Sequence, residues 1–319
     1  MMQRTDRYCR YFHRLLAPDI RLYTEMVVAD AVIKGDQQKL LGFDPAETPL
    51  ALQLGGSDPA LLAKAARTGE QWGYDEINLN IGCPSDRVQS GRFGACLMAE
   101  PETVAAGVSA MTDVVSIPVT VKTRIGIDDH DDYEYLANFI GTVSNAGCTM
   151  FIVHARKAIL QGLSPKENRL IPPLRYDVVY RLRQEFPELR IVINGGVRTT
   201  AETRAHLNEV DGVMIGRQAY SDPYWLTELQ GLVSPEGAKW QAPTRESIVM
   251  QMAEYAGREQ SKGTRLHHIS RHMLGLYTGQ PGARAWRRFL SEGAARPDSG
   301  PEVLLESLHT SIARSKLAR

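Results

Sequence analysis

Short apolar runs rich in β-branched residues recur along the chain, and each is followed by a stretch with helical periodicity. The runs are RLYTEMV (from Arg21), PLALQL (from Pro49), EINLNI (from Glu76), PVTVKTR (from Pro118), MFIVHAR (from Met150), IVING (from Ile191) and GVMIG (from Gly212). Strands that alternate with helices indicate βαβ units and a parallel sheet.

The spacing of these seven runs fits a (β/α)8 TIM barrel with one strand missing better than a doubly wound sheet. No Gly-rich dinucleotide turn follows the first run, which weakens the doubly wound alternative. Nothing strand-like stands before TDRYCRYFHRLL, which reads as the first helix. We therefore expect the first barrel strand to lie upstream of Met1.

Helix signals divide the rest of the chain. Asp58 and Pro59 open a helix to Trp72, and Pro101-Glu102 open one to Met111. After Asp222-Pro223 the strand pattern stops, and the chain reads as helices: ESIVMQMAEYAGREQ, LHHISRHMLGLYTG, ARAWRRFLSEG and PEVLLESLHTSIARS. We predict a barrel domain over 1–240 and a small all-helical domain over 241–319.

Composition is that of an ordinary globular protein, with 43% apolar and 23% charged residues. No apolar run approaches the roughly 20 residues of a bilayer span, and the N-terminus lacks the apolar stretch of a secretory signal. The cysteines are scattered and offer no metal pair or disulfide framework, which favours the cytoplasm: Cys9, Cys83, Cys96 and Cys148.

The net charge is zero, but the last segment is basic. Residues 257–319 hold eleven Lys or Arg against five Asp or Glu. This surplus indicates a polyanionic partner. Solvated basic helices are the ordinary alternative.

Polar residues follow the predicted strands, at the end of a barrel where active sites lie. They are Gln53; Asn80 with Gly82, Cys83 and Pro84; Lys122 and Arg124; His154 and Arg156; Asn194 with Gly195 and Gly196; and Gly216 with Arg217. The last two pairs stand at the usual phosphate corner of such barrels, where backbone N–H groups approach an anion closely.

The sequence leaves three roles open for Lys122: a Schiff-base nucleophile, a cation that faces a cofactor, or a charge that lines a solvent-filled barrel mouth. With a phosphate corner and His154 on the adjoining strand, flavin mononucleotide (FMN) fits well. Lys122 would stabilise the negative charge of the reduced ring, and Gln53 and His154 would hydrogen-bond the ring.

Cys83 stands in an exposed loop between Gly82 and Pro84. Three roles are open for its thiol: a buried side chain that only packs, a nucleophile, or an acid. No adjacent His or helix N-terminus is evident to stabilise a thiolate, so we expect a protonated thiol, which is able to act as a general acid.

These motifs carry a family resemblance. From RLYTEMV through ALQLGGSDP, YDEINLNIGCPS, GACLM, PVTVKTRIG, PPLRYD, NGGVRT and DGVMIGR to RHMLGLYTGQPGARAWRRFLSE, the chain resembles the tRNA-dihydrouridine synthases. VHARKAILQGLSPKENR is similar to the bacterial A subfamily, which modifies uridines 20 and 20a of the tRNA D-loop.

The resemblance implies an oxidoreductase in which NADPH reduces FMN and the reduced flavin delivers hydride to C6 of uridine. Cys83 would protonate C5, giving 5,6-dihydrouridine, and Asn80 would contact the target nucleotide. It implies a set of FMN ligands: Gln53, Lys122, His154, Asn194, Gly195, Gly196, Gly216 and Arg217, with Met1 and Met2 where the family has an Ala-Pro-Met strand end. Because that strand is missing here, we expect exposed strand edges and poor flavin loading compared with a longer version.

A base in folded tRNA must leave its stack to meet a flavin, so phosphate contacts are expected around the barrel mouth. The candidates are Arg124, Arg156, Lys166, Arg169, Arg284 and Arg287. Arg284 and Arg287 stand on a predicted helix that also carries Trp286 and Arg288. Lys166/Arg169 and Arg284/Arg287 have i, i+3 spacing. We expect tRNA and NADPH as partners, neither membrane nor DNA, no metal, and a monomer.

Three alternatives remain. An FMN barrel of the dihydroorotate dehydrogenase type would act on a free pyrimidine and has no use for a basic helical tail. A dead barrel that binds RNA would not need Cys83, Lys122 and His154 together. A lyase barrel with a cysteine or lysine nucleophile predicts no flavin absorption band.

Overall fold

The computed structural model describes residues 1–85, 88, 90–234 and 239–317, with side chains to residue 310. The strands are β1 (Leu22–Tyr23), β2 (Val27–Val28), β3 (Leu50–Gly55), β4 (Glu76–Asn80), β5 (Val119–Arg124), β6 (Met150–His154), β7 (Arg190–Asn194) and β8 (Gly212–Met214). They form one sheet in the order β1-β3-β4-β5-β6-β7-β8, with β2 also paired to β3. The pairs from β2 to β8 are parallel, which confirms the α/β class.

One predicted strand differs. RLYTEMV forms two strands of two residues each, β1 and β2, rather than one. Thr24 interrupts the run: its hydroxyl, not a backbone carbonyl, accepts the N–H of Gln53 at 2.9 Å. The Thr24 N–H still donates to the Ala51 carbonyl at 3.0 Å, so the side-chain acceptor interrupts the regular ladder on the acceptor side of this residue.

The central strands are buried because helices cover a parallel sheet. Every residue of β3 is buried, and Ile77, Val121 and Phe151 are 0% exposed. Pairing register sets Gln53 opposite Asn78 and Asn78 opposite Thr120. Side chains of these paired residues therefore share one face of the sheet.

The helices are α1 (Arg7–Leu16), α2 (Ala29–Lys34), α3 (Gln37–Leu41), α4 (Pro59–Gln71), α5 (Pro101–Thr112), α6 (Tyr133–Asn145), α7 (Tyr176–Glu185), α8 (Thr200–Leu207), α9 (Arg217–Ser221), α10 (Leu226–Val233), α11 (Arg245–Gln260), α12 (Leu266–Ser270), α13 (Ala283–Ala294) and α14 (Glu302–Leu317). Short 3-10 turns lie at Pro45–Glu47, Gly94–Ala99, Glu167–Arg169 and Pro223–Trp225. Asp58 caps α4 as predicted, accepting the N–H groups of Ala60 and Leu61.

The chain divides into two compact units. Unit 1 comprises residues 1–22, 44–47 and 216–319, and unit 2 comprises 23–43 and 48–215. Unit 2 holds the sheet from β2 to β8 and helices α2 to α8, whereas unit 1 is helical. The helical end of the chain is thus confirmed, while the boundary at 240/241 stays a prediction. Among the described residues, no helix is long and apolar enough to cross a membrane.

Asp6 ties the two ends of unit 1 together. Its carboxylate caps α1 by accepting the N–H of Cys9 at 3.0 Å and pairs with His272 at 2.9 Å and with Arg271. Burial by itself would raise the pKa of Asp6, but His272, the cap and Arg271 outweigh it and lower the pKa. A second buried pair, Arg10 with Glu47 at 2.6 Å, fixes the segment 44–47 against α1.

Candidate active site

Polar side chains gather on one face of the sheet at the carboxyl ends of β3 to β7. The register sets Asn80 opposite Lys122, Arg124 opposite His154, and His154 opposite Asn194. Gln53 joins them through a hydrogen bond of 2.8 Å from Asn80 Nδ2 to its Oε1. The residues that the sequence singled out on these strands thus share one face of unit 2.

Asn80 shapes the loop that carries Cys83. Its Oδ1 accepts the backbone N–H groups of Gly82 and Cys83, each at 3.0 Å. The carbonyl of Cys83 accepts the N–H of Ala95 at 2.9 Å, and a Cβ at Gly94 (φ +77°) would lie 2.6 Å from that carbonyl oxygen. The loop is therefore fixed on both sides of a half-buried thiol whose Sγ lies 3.5 Å from Ser85 Oγ.

Two cations interact electrostatically with this thiol. Burial, followed by the charge of Arg124, lowers the pKa of Lys122 to about 8, and Cys83 opposes that shift. Burial likewise lowers the pKa of Arg124 to about 10, again against Cys83. Both groups are cationic at neutral pH, so the site presents positive charge where a thiolate or an anionic ring would lie.

Replacing Lys122 by Met should stabilise flavin-free protein near pH 7 by roughly 3 kcal/mol, because one pKa unit is worth about 1.4 kcal/mol. A lysine of ordinary pKa 10.5 that titrates near 8 when folded costs stability fully below pH 8. The cost fades as the pH rises toward 10.5. Urea titrations of both proteins at pH 7 and pH 10 measure this. The gain should shrink at pH 10, and a gain independent of pH, or one matched by exposed Lys64→Met, contradicts the prediction.

Gly195 and Gly196 follow β7 in a conformation that favours glycine, with φ of +118° and +80°. A Cβ at Gly196 would lie 2.6 Å from both Leu174 Cδ1 and Tyr176 Oη, and one at Gly195 would lie 3.1 Å from the His154 ring. Tyr176 donates its hydroxyl to the Gly195 carbonyl at 2.8 Å. Because Gly195 and Gly196 have no side chains, their backbone forms an open concave surface, here called the cradle, which the Tyr176 contact holds in place. Only glycine permits this conformation and this spacing. Asn194 bridges β7 and β8, donating to the Met214 carbonyl at 2.7 Å.

Two arginines that the sequence predicted as RNA contacts, Arg124 and Arg156, donate hydrogen bonds to backbone carbonyls of loops in this structure. Arg124 is 5% exposed and donates to the carbonyls of Gly82, Lys157 and Asn168 at 2.8–3.1 Å. Arg156 is half-buried and donates to the Pro172 carbonyl. In this structure both side chains hold backbone in place, which the sequence did not indicate. Their contact with RNA stays a prediction.

The remaining RNA candidates are exposed. Lys166 and Arg169 border the 3-10 turn Glu167–Arg169, whose three residues per turn set i and i+3 on one side. Arg284 and Arg287 are exposed on α13, one turn apart, while Trp286 on the same helix is fully buried and donates Nε1–H to the Met273 carbonyl. Trp286 is therefore a core residue.

Unit 1 contains a cavity of about 440 Å³ with a basic lining. Arg4 lies over the ring of Tyr220, 4.6 Å from its centroid. The lining comprises Met1, Arg4, Arg217, Tyr220, Ser221, Arg271, His272, Leu274, Gly275, Thr278 and Arg287. Four guanidinium groups around one cavity favour an anionic occupant. Gly216 and Met1 also belong to this unit: a Cβ at Gly216 would lie 3.2 Å from Met1 Sδ.

The family model described as "Dihydrouridine synthase (Dus)" matches residues 1–313. The chain belongs to the dihydrouridine synthase family. It is thus a flavin-dependent oxidoreductase.

Curated relatives of this dihydrouridine synthase are similar over nearly the whole chain. The tRNA-dihydrouridine(20/20a) synthase of Xanthomonas campestris is 58% identical, covering 95% of this chain and 90% of the relative. Proteins of the same name from Synechocystis sp. and Escherichia coli are 55% and 56% identical, each covering 97% of this chain and 92% of the relative.

Among solved structures, morphinone reductase in complex with tetrahydroNAD is similar in fold, with a TM-score of 0.51 and 13% identity. It covers 77% of this chain and 86% of its own. Together with the parallel strands and covering helices, this likeness confirms the TIM-barrel type that the sequence predicted.

The sequence reasoning missed residues of this dihydrouridine synthase that support the site. Asn168 is fully buried and binds the Ile159 backbone through both ends of its amide, which orders the loop of Lys166 and Arg169. Tyr176 and the polar triplet Glu76, Asn78 and Thr120 were also overlooked. Alternation of polar and apolar residues in EINLN and in VTVK (from Val119) was the available signal, because it sets these polar residues on one face of buried strands.

Proposed function

We propose that this chain reduces the C5–C6 bond of uridine in the tRNA D-loop, at positions 20 and 20a, with FMN as cofactor and NADPH as electron donor. The observation that carries the proposal is the Cys83 loop, held by Asn80 on the face that also carries Gln53 and Lys122. Family membership supports the reaction, and the names of the relatives support tRNA and the two positions.

The residues present fit FMN. The Gly195-Gly196 cradle suits a phosphate because backbone approaches closely where side chains are absent. Lys122 carries a positive charge that would stabilise the reduced flavin ring. Gln53 and His154 carry hydrogen-bonding groups on the same face of the sheet. Asn194 belongs to the same proposed set in unit 2. The family resemblance adds four residues of unit 1, whose role as FMN ligands stays a prediction: Met1, Met2, Gly216 and Arg217. When bound there, FMN would supply hydride chemistry, with NADPH as the source of the electrons.

Cys83 supplies the proton. In the proposed step its S–H bond breaks, a C–H bond forms at C5 of the uracil, and the sulfur keeps the electron pair while C6 receives hydride. Lys122 and Arg124 interact electrostatically with Cys83 and stabilise the resulting thiolate, which solvent reprotonates. Asn80 holds the Cys83 backbone so that the thiol returns to one position.

RNA binding requires cations spread over a large surface, because a uridine swung out of its stack is held mainly by its flanking phosphates. Lys166 and Arg169 in unit 2, and Arg284 and Arg287 in unit 1, are exposed and suitably paired. The basic cavity of unit 1 has room for a sugar-phosphate. We assign phosphodiester contacts to Lys166, Arg169, Arg284 and Arg287. We further propose that the chain acts in the cytoplasm as a monomer, without DNA or membrane.

Arg287→Ala should weaken tRNA binding about five- to tenfold, and the slope of log Kd against log salt should fall by about 1, as expected when one phosphate contact is lost. Arg287 is exposed and lines the basic cavity. Its replacement by Ala therefore removes a positive charge without leaving a cavity in the hydrophobic core. Fluorescence anisotropy with D-loop tRNA at several salt concentrations measures both quantities. The matched control is Arg204→Ala, an exposed arginine on α8, and an equal loss in the control contradicts the assignment.

The deciding experiment is dihydrouridine analysis by mass spectrometry in tRNA from a strain lacking this gene, complemented with wild-type chain. Dihydrouridine at positions 20 and 20a should disappear on deletion and return on complementation. Unchanged dihydrouridine in the deletion strain, with no second enzyme covering those positions, overturns the tRNA assignment. Reduction of free pyrimidines by the purified protein would then identify the dihydroorotate dehydrogenase-like alternative.

A further inference from the structure

A continuous chain of side-chain hydrogen bonds runs through the barrel face beneath the site. Thr120 donates its hydroxyl to Glu76 Oε1 at 2.6 Å, and Asn78 Nδ2 donates to Thr120 Oγ1 at 2.8 Å. Gln53 Nε2 then donates to Asn78 Oδ1, and Asn80 Nδ2 donates to Gln53 Oε1, each at 2.8 Å. The chain ends where Asn80 Oδ1 accepts the N–H groups of Gly82 and Cys83.

The two ends of the chain fix its direction. Backbone N–H groups are donors only, so Asn80 must present oxygen to the Cys83 loop and its Nδ2 to Gln53. At the other end Glu76 Oε1 accepts two hydroxyls, those of Thr120 and, at 3.2 Å, Tyr23. Every amide between these ends therefore has one orientation that satisfies all partners.

The members of the chain lie deep in the barrel. Glu76 and Thr120 are 1% exposed and Asn78 is 0% exposed. Barrel strands are ordinarily filled with branched apolar residues, and buried amides that lose a partner are costly. Three polar residues in register on β4 and β5 thus call for a function beyond packing.

We propose that Thr120, Asn78 and Glu76 are positioning residues that set the orientation of the Gln53 and Asn80 amides and, through Asn80, the backbone of Cys83. The inference rests on the proposed function, since Gln53 then faces the flavin and Cys83 the uracil. A reversed Gln53 amide would set its nitrogen against the Asn80 nitrogen and its oxygen against the Asn78 oxygen, so both hydrogen bonds would be lost. A released Asn80 would free the loop of the proton donor.

The test compares two isosteric changes on β5. Thr120→Val removes the central hydroxyl of the chain, whereas Thr123→Val alters a threonine that is also fully buried but lies on the opposite face of the strand, with its hydroxyl 3.3 Å from the Arg124 carbonyl. We expect Thr120→Val to weaken FMN binding and to slow single-turnover uridine reduction, each about tenfold, as for loss of a buried hydrogen bond that strands its partners. Thr123→Val should stay within about twofold of wild type in both, and Thr120→Ser should recover most of the loss.

A readout independent of turnover is the rate of Cys83 alkylation by iodoacetamide in holoenzyme, resolved by peptide mass spectrometry. It should change in Thr120→Val and not in Thr123→Val, because only the former releases the loop. Equal flavin affinity, turnover and alkylation in the two valine variants overturn the proposal. If wild type makes no dihydrouridine, the proposed function fails, while flavin affinity and alkylation still decide the positioning role.

An atomic-resolution crystal structure of wild-type holoenzyme tests the same point without any variant that has to fold. The nitrogen of the Gln53 amide should face Asn78, and its oxygen should face Asn80. The reverse orientation overturns the proposal.

Discussion

Cys83→Ala should reduce the rate of dihydrouridine formation by about a hundredfold to ten-thousandfold, the usual contribution of a positioned general acid. The loop backbone should keep its place, because Asn80 holds it through N–H groups that the variant retains. Stopped-flow absorbance should show that NADPH reduces the flavin at an unchanged rate, since the thiol serves only the tRNA step. Product is measured by mass spectrometry after a single turnover.

The matched control for the thiol is Cys96→Ala. Cys96 is half-buried like Cys83 but lies in the 3-10 turn Gly94–Ala99 and donates its S–H to the Phe93 carbonyl at 3.2 Å. Burial raises the pKa of Cys96, so it stays a thiol at neutral pH. Normal turnover in Cys83→Ala, or an equal loss in Cys96→Ala, would remove Cys83 from the reaction.

Gly196→Ala should reduce the affinity for FMN by about five- to a hundredfold, the range expected from 1–3 kcal/mol of overpacking. The added methyl would lie 2.6 Å from Leu174 Cδ1 and Tyr176 Oη. The hydroxyl of Tyr176 would have to leave the Gly195 carbonyl, and the cradle would lose its shape. Flavin fluorescence during titration of flavin-free protein measures the affinity.

Gly162→Ala separates steric intrusion from backbone strain. Gly162 has φ of +86°, close to the +80° of Gly196, but nothing lies within 4 Å of a Cβ built there. Both variants carry the strain of about 1 kcal/mol that a non-glycine residue meets at positive φ, and only Gly196→Ala adds the clash. Equal flavin affinities in the two variants would show that the cradle does not bind the phosphate.

The sequence predicted those features of the fold that local patterns specify. Runs such as EINLNI and PVTVKTR became strands because their apolar residues are buried on a covered parallel sheet. The split of RLYTEMV was out of reach, since it depends on the Thr24 hydroxyl reaching the backbone of a distant strand. Local propensity contains no information on such a contact.

The same limit applies to the site. Positions near strand ends predicted that Gln53, Lys122 and His154 would share one face of the sheet, and the register confirms this placement, because topology alone sets strand ends together. The burial of Arg124 was not predictable, since its three acceptors come from loops 33 to 44 residues away. An arginine after a strand reads equally well as an RNA contact or as a clamp on backbone carbonyls, and only the fold separates the two.

Unit 1 is built from both ends of the chain, and this has a consequence for synthesis on the ribosome. Helix α1 emerges early, yet the helices it packs against, α10, α11 and α12, begin only after residue 225. At roughly 5–20 residues per second, α1 waits on the order of 10–40 seconds for these helices, although the segment 45–47 that it also contacts is made early. All of unit 2 is complete before then. The nascent chain thus carries the sequence of the whole sheet and of an amphipathic helix, α1, before the C-terminal helices of unit 1 have been made.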